Sequence, residues 1–484
     1  MKIRQINHIV CVVVIYTMVA IAVTYFFCFY ISPMWNDFGG DQSMFSIIGE
    51  GWKLGRVPYI DLWDSKGPII FFVNMLGHSI APGEIGICIL QVLNIASVLI
   101  LSHYFLSRCA SVCNVVIFQI IFLLVYVLIC SGGNHVGDTT LLLSALVVFL
   151  SYKWVLNVSI GIYNHSWKSA FIYGVFVSSC FLSRLTNGAI AISFSVVVVA
   201  VLAYNRMWGN LLASVTAFVV GFIVVFLPFA VYFGCHGAFH EMWYAMFSYN
   251  LEYAGHSHNL NPHSLKHLLY FISNFCCILF PVLLFVISVI SVISVILRRR
   301  RKINLILALS VLPALCWAIN SYAYANYAIS YLPILFVSLV ETQKLMKWKR
   351  VPKYAMSISL LFVVLYIRNY RIYYEGGPDA NTRQSLMITK DVPSNETFVA
   401  YNVCPTYYIY AGREPDYRFF ATQDWAIENG PSLRQKVVDC YRSGLAEWIL
   451  VYQYGQSNIK GVLDENYELY RYDEKYDLSL FKRK

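Results

Sequence analysis

The feature that most constrains this chain is a series of about eleven apolar runs, each close to the 17 to 25 residues a helix needs to cross a lipid core. Lipid offers a backbone no water to bond, so segments of this kind satisfy themselves as helices and a water-soluble fold is excluded. Composition agrees: 58% of the 484 residues are hydrophobic and 13% are charged. Aromatic residues at 16% rule out disorder, and thirteen cysteines over such a length do not make a disulfide scaffold. The expected fold class is an all-α polytopic membrane protein with a small α/β domain at its C-terminal end.

The first run, Ile9 to Ile31, follows Lys2 and Arg4 and reads as a signal anchor with its N-terminus inside. Further runs are expected near 85–107, 111–130, 138–156, 169–185, 187–204, 211–233, 267–297, 303–320, 327–342 and 354–370. The pair at 169–204 reads equally as two short spans or a re-entrant hairpin. Alternating sides from a cytoplasmic N-terminus places the basic clusters inside, the sharpest being Arg298 to Lys302. That run reads as a topology signal, and nucleic acid is not an expected partner. The same parity places 32–84, 234–266 and the chain beyond about 370 on the far side. Residues 1–370 are thus expected to form the membrane domain with its two external loops, and 371–484 the external domain. Strand-like runs at Thr397–Tyr401 and Trp448–Tyr452 mark the latter as α/β. Its Cys404 and Cys440 read as a disulfide or as two free thiols.

The first external loop carries the most chemistry. It contains Asp37, Asp41, Gln42 and Phe45, then Asp61, Asp64, Lys66, Gly67 and Pro68. It is expected to form short helices and turns, with Phe71, Phe72, Val73 and Leu76 dipping into the membrane interface. A carboxylate there can take a proton from an attacking hydroxyl, and a nearby cation can stabilise a departing phosphate. The alternative is that the aspartates cap helices and the lysine reaches for lipid headgroups.

The pattern as a whole resembles the first external loop of the GT-C glycosyltransferases, which use polyisoprenyl-phosphate sugars and include the protein O-mannosyltransferases and lipid A aminoarabinose transferases. The matching positions are Asp41, Phe45, Lys66-Gly67-Pro68 and Asn74-Met75-Leu76-Gly77. The resemblance implies that Asp41 is the catalytic base and Lys66 a ligand of the donor phosphate. Gln42 stands where the family has a second acid. No cofactor is expected, a divalent metal is left open, and Asp37 is a candidate for a supporting role.

Other polar groups lie at the outer ends of spans, where an ionisable residue is costly and marks a cavity or a partner. They are Asn134, His135 and Asp138; Arg184, Thr186 and Asn187; and Tyr322, Tyr324, Asn326 and Tyr327. Arg184 is the second candidate for donor phosphate, with a structural pairing to Asp138 as its alternative. The second external loop gathers His236, His240, Glu241, Glu252, His256, His258 and His263 without the spacing of a metal site. Its Trp243, Tyr244, Tyr249 and Tyr253 read as sugar-contacting or as interfacial anchors.

The resemblance implies an inverting transfer of a sugar from a polyprenyl-phosphate donor, and the overall length and layout resemble the integral-membrane glucosyltransferases that pass a hexose such as glucose to a lipid-linked glycan such as O-antigen. The setting would be the periplasmic face of a bacterial inner membrane, with membrane lipids as the surroundings. Two other classes compete: a transporter or flippase of a lipid-linked saccharide, which predicts repeats and broken helices at mid-membrane, and a polymerase or ligase with arginine-rich external loops.

Overall fold

A computed structural model describes residues 2–130, 132–256, 310–311, 313, 325–345, 377–428, 430–444 and 446–484. In chain order its longer helices through residue 235 are α1 (Lys2–Phe27), α2 (Gly40–Lys53), α3 (Pro68–Ile80), α4 (Ile85–Leu106), α5 (Val112–Ile129), α6 (Asp138–Ser159), α7 (Trp167–Phe181), α8 (Ala189–Tyr204) and α9 (Trp208–Cys235). Five described segments are long and apolar enough to span a membrane: Ile6–Phe27, Ile85–Leu106, Asp138–Ser159, Leu185–Tyr204 and Trp208–Cys235. The expected spans at 267–297, 303–320 and 354–370 lie mostly or wholly outside the described residues, as does the Arg298–Lys302 run. The chain divides into two compact units, one built from residues up to 28, 88–229 and the described part of 262–375, the other from 29–87, 230–261 and the C-terminal residues from 376.

In the first unit α6 is the hub and α9 lies at the margin. The protein buries 61% of the apolar window of α6 but only 11% of that of α9. Glycine sets one contact: a Cβ on Gly174 of α7 would lie 1.9 Å from the Phe218 carbonyl oxygen, and one on Gly221 of α9 would lie 2.2 Å from that of Phe171. Only paired glycines let these two backbones approach so closely. The segment 169–204 forms two helices, α7 and α8, joined by a 3-10 turn at Leu185–Gly188. The run expected as a single span at 327–342 is divided. A 3-10 segment, Ala325–Tyr331, precedes a helix, Ile334–Leu345, and Pro333 stands between them. Proline lacks the N–H that a continuous helix would need there. The first helix ends at Phe27, short of Ile31.

In the second unit α2 and α3 form a tight pair. A Cβ on Gly49 would lie 2.6 Å from Cβ of Asn74, and one on Gly77 would lie 2.6 Å from the Ile87 side chain. The Asn74–Gly77 element is thus a packing device, and Asn74 also donates to the Ile70 carbonyl at 2.8 Å. Phe71 is a correction to the expected lipid-facing set. It is fully buried against Phe45 and Tyr59, while Leu76 and Ile80 are exposed.

Residues 377–484 build a four-stranded sheet from β1 (Phe398–Tyr401), β2 (Trp448–Tyr452), β3 (Tyr467–Asp473) and β4 (Leu478–Arg483) in the order β1-β2-β4-β3. β1 and β2 are parallel, with Phe398 opposite Trp448; the other pairs are antiparallel. β1 is buried throughout and β2 nearly so, whereas edge strand β3 exposes most of its residues and carries charges that discourage further pairing. Cys404 and Cys440 are free thiols.

Residues 239–253 belong to this unit through their side chains. Tyr249 is buried edge-on against Trp63 and donates to the Ala426 carbonyl at 3.2 Å. Tyr244 is buried beneath the Lys436 ammonium, 4.0 Å from the ring centre. Neither tyrosine is a surface anchor, contrary to expectation. Their rings join three separate stretches of chain, and Trp243 is the exposed one. Glu241 binds Arg418 and, at 2.9 Å, Lys436. Burial pushes its carboxyl upward, but the hydrogen bonds from Lys436 and Arg418 outweigh that and hold it below the usual range. His240, by contrast, is exposed.

Candidate active site

The site grows from the start of α2. Gly39 precedes the helix in an extended conformation, and a Cβ there would collide with Gln42 Oε1 at 2.2 Å and the Tyr30 ring at 2.8 Å. Gly40 packs closely on Cys404, whose Sγ would lie 3.4 Å from an added Cβ. The two glycines let the chain turn inward, so that Gln42 and Phe45 are buried while Asp41 stays exposed in the first helical turn. An acidic residue there faces backbone N–H groups that have no helical partner.

The second part of the site is the loop before α3. Gly55 and Tyr59 both adopt left-handed backbone conformations, with φ of 92° and 73°. Tyr59 is fully buried, stands edge-on to Phe71 and Phe233, and donates its hydroxyl to the Lys66 carbonyl at 2.8 Å. The neighbouring Trp63 N–H donates to the Arg418 carbonyl at 2.9 Å. Asn250 donates to the Ser65 carbonyl at 3.1 Å. Gly67 and Pro68 then start α3, where proline at the first turn costs no hydrogen bond. Lys66 is therefore delivered by a loop anchored on both sides.

Asp64 links the two parts. Burial pushes its carboxyl up, the Lys66 ammonium pulls it down, and the Asp41 carboxylate pushes it up again. The Asp41 carboxylate and the Lys66 ammonium thus both act on the half-buried Asp64 carboxyl. Asp61 goes elsewhere. It is exposed, and its carboxylate accepts the Val57 N–H at 2.6 Å, closing its own turn.

Asp37 forms a separate acidic pair. It is 9% exposed, and burial pushes its carboxyl up to about 6, with the nearby Asp379 adding to the rise and the Phe38 N–H opposing it. Asp379 caps the helix Ala380–Ile388 by accepting the Thr382 N–H at 2.7 Å. Tyr410 completes this corner, donating to the Asn36 carbonyl at 3.1 Å and packing against Phe38. Asp379, Cys404 and Tyr410 were not legible as site residues. The only signal was an aspartate before a helix, which says nothing of its return to Asp37.

In the other unit a hydrogen-bond network centres on Asp138. Gly132, Gly133 and Asn134 are consecutive left-handed residues, with φ of 91°, 87° and 54°. That turn aims the His135 N–H at Asp138 Oδ2, 2.9 Å away, while Tyr126 donates to Oδ1 at 2.8 Å and Asn94 to the Asp138 carbonyl at 2.7 Å. Asp138 is 4% exposed and acts as a structural acceptor. Asn326 lies 2.8 Å from His135 Nδ1. The Arg184 guanidinium lies over the Tyr327 ring, 3.2 Å from its centre. Asn187 is buried, with its Nδ2 unpartnered among the described residues. Tyr324, Tyr322, His258 and His263 lie outside the described residues. Among the described residues no three His, Cys, Asp or Glu side chains converge as a metal site would require.

No family model and no curated protein matches this sequence. Solved structures do. ArnT from Cupriavidus metallidurans, bound to undecaprenyl phosphate, superposes with a TM-score of 0.56 at 13% identity over 97% of each chain. The apo state of the same protein gives the same values. The oligosaccharyltransferase AglB from Archaeoglobus fulgidus, in complex with an inhibitory peptide and a dolichol-phosphate, matches with a TM-score of 0.48 at 10% identity, over 99% of this chain and 74% of its own. The chain is therefore a membrane protein with the fold of ArnT.

Proposed function

We propose that this chain is an inverting glycosyltransferase that moves a sugar from a polyprenyl-phosphate donor to an acceptor hydroxyl. The observation that carries the reading is Asp41 in the first turn of α2 and Lys66 on the anchored loop before α3, in a chain whose fold is that of a protein solved with undecaprenyl phosphate.

Asp41 takes the proton of the acceptor hydroxyl as its oxygen attacks the anomeric carbon. The bond from that carbon to the phosphate oxygen breaks, and its electron pair leaves with polyprenyl phosphate, whose charge Lys66 stabilises. Asp64 holds Lys66 in place. Arg184 is the second candidate for the phosphate, its planar guanidinium being suited to paired phosphate oxygens. Asp37, Gln42 and Phe45 shape the start of α2, and the C-terminal residues from 371 help to position the acceptor. The donor sugar is a hexose such as glucose, and the acceptor a lipid-linked glycan such as O-antigen at the periplasmic face of a bacterial inner membrane.

The test is transfer by purified protein in detergent, with polyprenyl-phosphate glucose and a panel of lipid-linked glycans. Product formed by the wild type and lost in Asp41→Asn is expected. Tight binding of a lipid-linked glycan with no product from any polyprenyl-phosphate sugar would overturn the reading.

A further inference from the structure

Lys66 stands between two peptide planes, and each is held from a different part of the chain. The carbonyl before it, of Ser65, accepts the Asn250 side-chain N–H at 3.1 Å, and its own carbonyl accepts the Tyr59 hydroxyl at 2.8 Å. A peptide unit is rigid and planar, so holding the planes on both sides of one Cα fixes its φ and ψ, and with them the direction in which the side chain leaves the backbone. The next residue is restricted as well. Pro68 disfavours helical backbone at Gly67, which is extended with φ of −72° and ψ of 159°.

Both donors stand at irregular points of the backbone. Tyr59 has a φ of 73°, in the left-handed region that a bulky side chain rarely enters. Such a conformation is costly and persists only where the surroundings hold it, as they do at ligand-binding sites. Here the Tyr59 N–H bonds to the Leu62 carbonyl at 2.8 Å, and the ring lies edge-on to Phe71 and Phe233. A packing role needs only that ring; the hydroxyl is what reaches Lys66. Asn250 follows a π-helical turn, Tyr244–Ser248, in which the Tyr249 N–H reaches back five residues to the Tyr244 carbonyl. Residues five apart in an α-helix point about 140° from one another. The wider turn brings Tyr244 and Tyr249 toward one face, where both are buried, and turns of this kind recur at functional sites. The Asn250 side-chain nitrogen also lies 2.9 and 3.1 Å from the Ala245 and Met246 carbonyls, so it is held against its own turn as it reaches Ser65.

We propose that Tyr59 and Asn250 are positioning residues, which together aim the Lys66 ammonium at the phosphate of a polyprenyl-phosphate donor. The proposal rests on the donor reading of Lys66 and brings the second external loop into phosphate binding through Asn250. It is tested by equilibrium binding of polyprenyl phosphate to the full chain in detergent, with polyprenol, which lacks the phosphate, as the control. Lys66→Ala should weaken polyprenyl phosphate by about ten-fold or more, Tyr59→Phe by about three- to ten-fold and Asn250→Ala by about two- to three-fold, each with polyprenol unchanged. In the Lys66→Ala background the other two substitutions should change nothing further, because the group they aim is gone. A packing role would instead weaken both lipids alike, or persist without Lys66. Melting temperatures identify a variant that fails to fold; Asn250 is exposed, so its substitution carries the test if Tyr59→Phe melts. Unchanged affinity in the folded variants of Tyr59 and Asn250, an equal loss for polyprenol, or a loss that persists in the Lys66→Ala background would overturn the proposal. No binding of polyprenyl phosphate by the wild type, or unchanged binding in Lys66→Ala, would break the donor reading itself; a loss in Lys66→Ala with none in the other two would break only this proposal.

Discussion

Asp138 of the first unit and the acids Asp37 and Glu84 of the second are held in opposite ways. Asp138 in the first has both oxygens and its carbonyl filled by Tyr126, His135 and Asn94. In the second, Asp37 and Glu84 are held in poor solvent with too few partners, and their carboxyls rise to about 6 and about 7. A saturated acid is a structural part, because any reaction at it would first have to break its hydrogen bonds. An undersaturated one is open to a ligand or a proton. The contrast separates residues that looked alike as aspartates at the ends of apolar runs.

Four measurements break or sharpen this contrast. The largest effect is expected at Asp41, where Asn should lower product formation by about 10²- to 10⁴-fold with an unchanged melting temperature. Asp138→Ala should act through the fold instead. It strands the Tyr126 hydroxyl and the His135 N–H, at a cost of about 1–3 kcal/mol for each group, read as a lower melting temperature and yield. Equal melting temperatures for the two variants would erase the distinction between the units.

Lys66→Ala should come next, raising the donor KM by roughly ten-fold or more, in line with about 1.5–3 kcal/mol for a hydrogen bond to a charged group. Acceptor KM should stay within about two-fold, a change well under 1 kcal/mol. A change in acceptor KM alone would place Lys66 elsewhere. The smallest effect is at Glu84, where burial raises the carboxyl, the Ser46 hydrogen bond lowers it and Glu50 raises it again, to about 7. Because the fold favours the protonated form, this group's support is full below its ordinary value near 4.5 and is lost as pH rises through about 7. Glu84→Gln should therefore flatten the fall in melting temperature between those pH values and melt a few degrees above the wild type at pH 8. A parallel pair of pH profiles would show that Glu84 is not held in its protonated form.

Much of the membrane part was legible. Apolar runs near 85–107, 111–130 and 138–156 became Ile85–Leu106, Val112–Ile129 and Asp138–Ser159, because helical hydrogen bonding is local and lipid tolerates little else. The strands at Phe398–Tyr401 and Trp448–Tyr452 also fall on strand-like apolar runs visible in the sequence. Pro333 was visible too, but its effect on the run around it was missed. The inward turn of Phe71 depends on Phe45 and Tyr59, far enough along the chain that periodicity could not report it.

The candidate site divides along the same line. Local sequence by itself determined that Asp41 opens a helix after two glycines and that Lys66 stands before Gly67-Pro68 at the start of another, because caps and helix starts are set by neighbours a few residues away. Only the tertiary structure decided that Asp64 feels both, that Asp379 returns to Asp37, and that Tyr244 and Tyr249 are buried. Charge coupling and burial depend on distances through space, and these are set by packing among segments hundreds of residues apart.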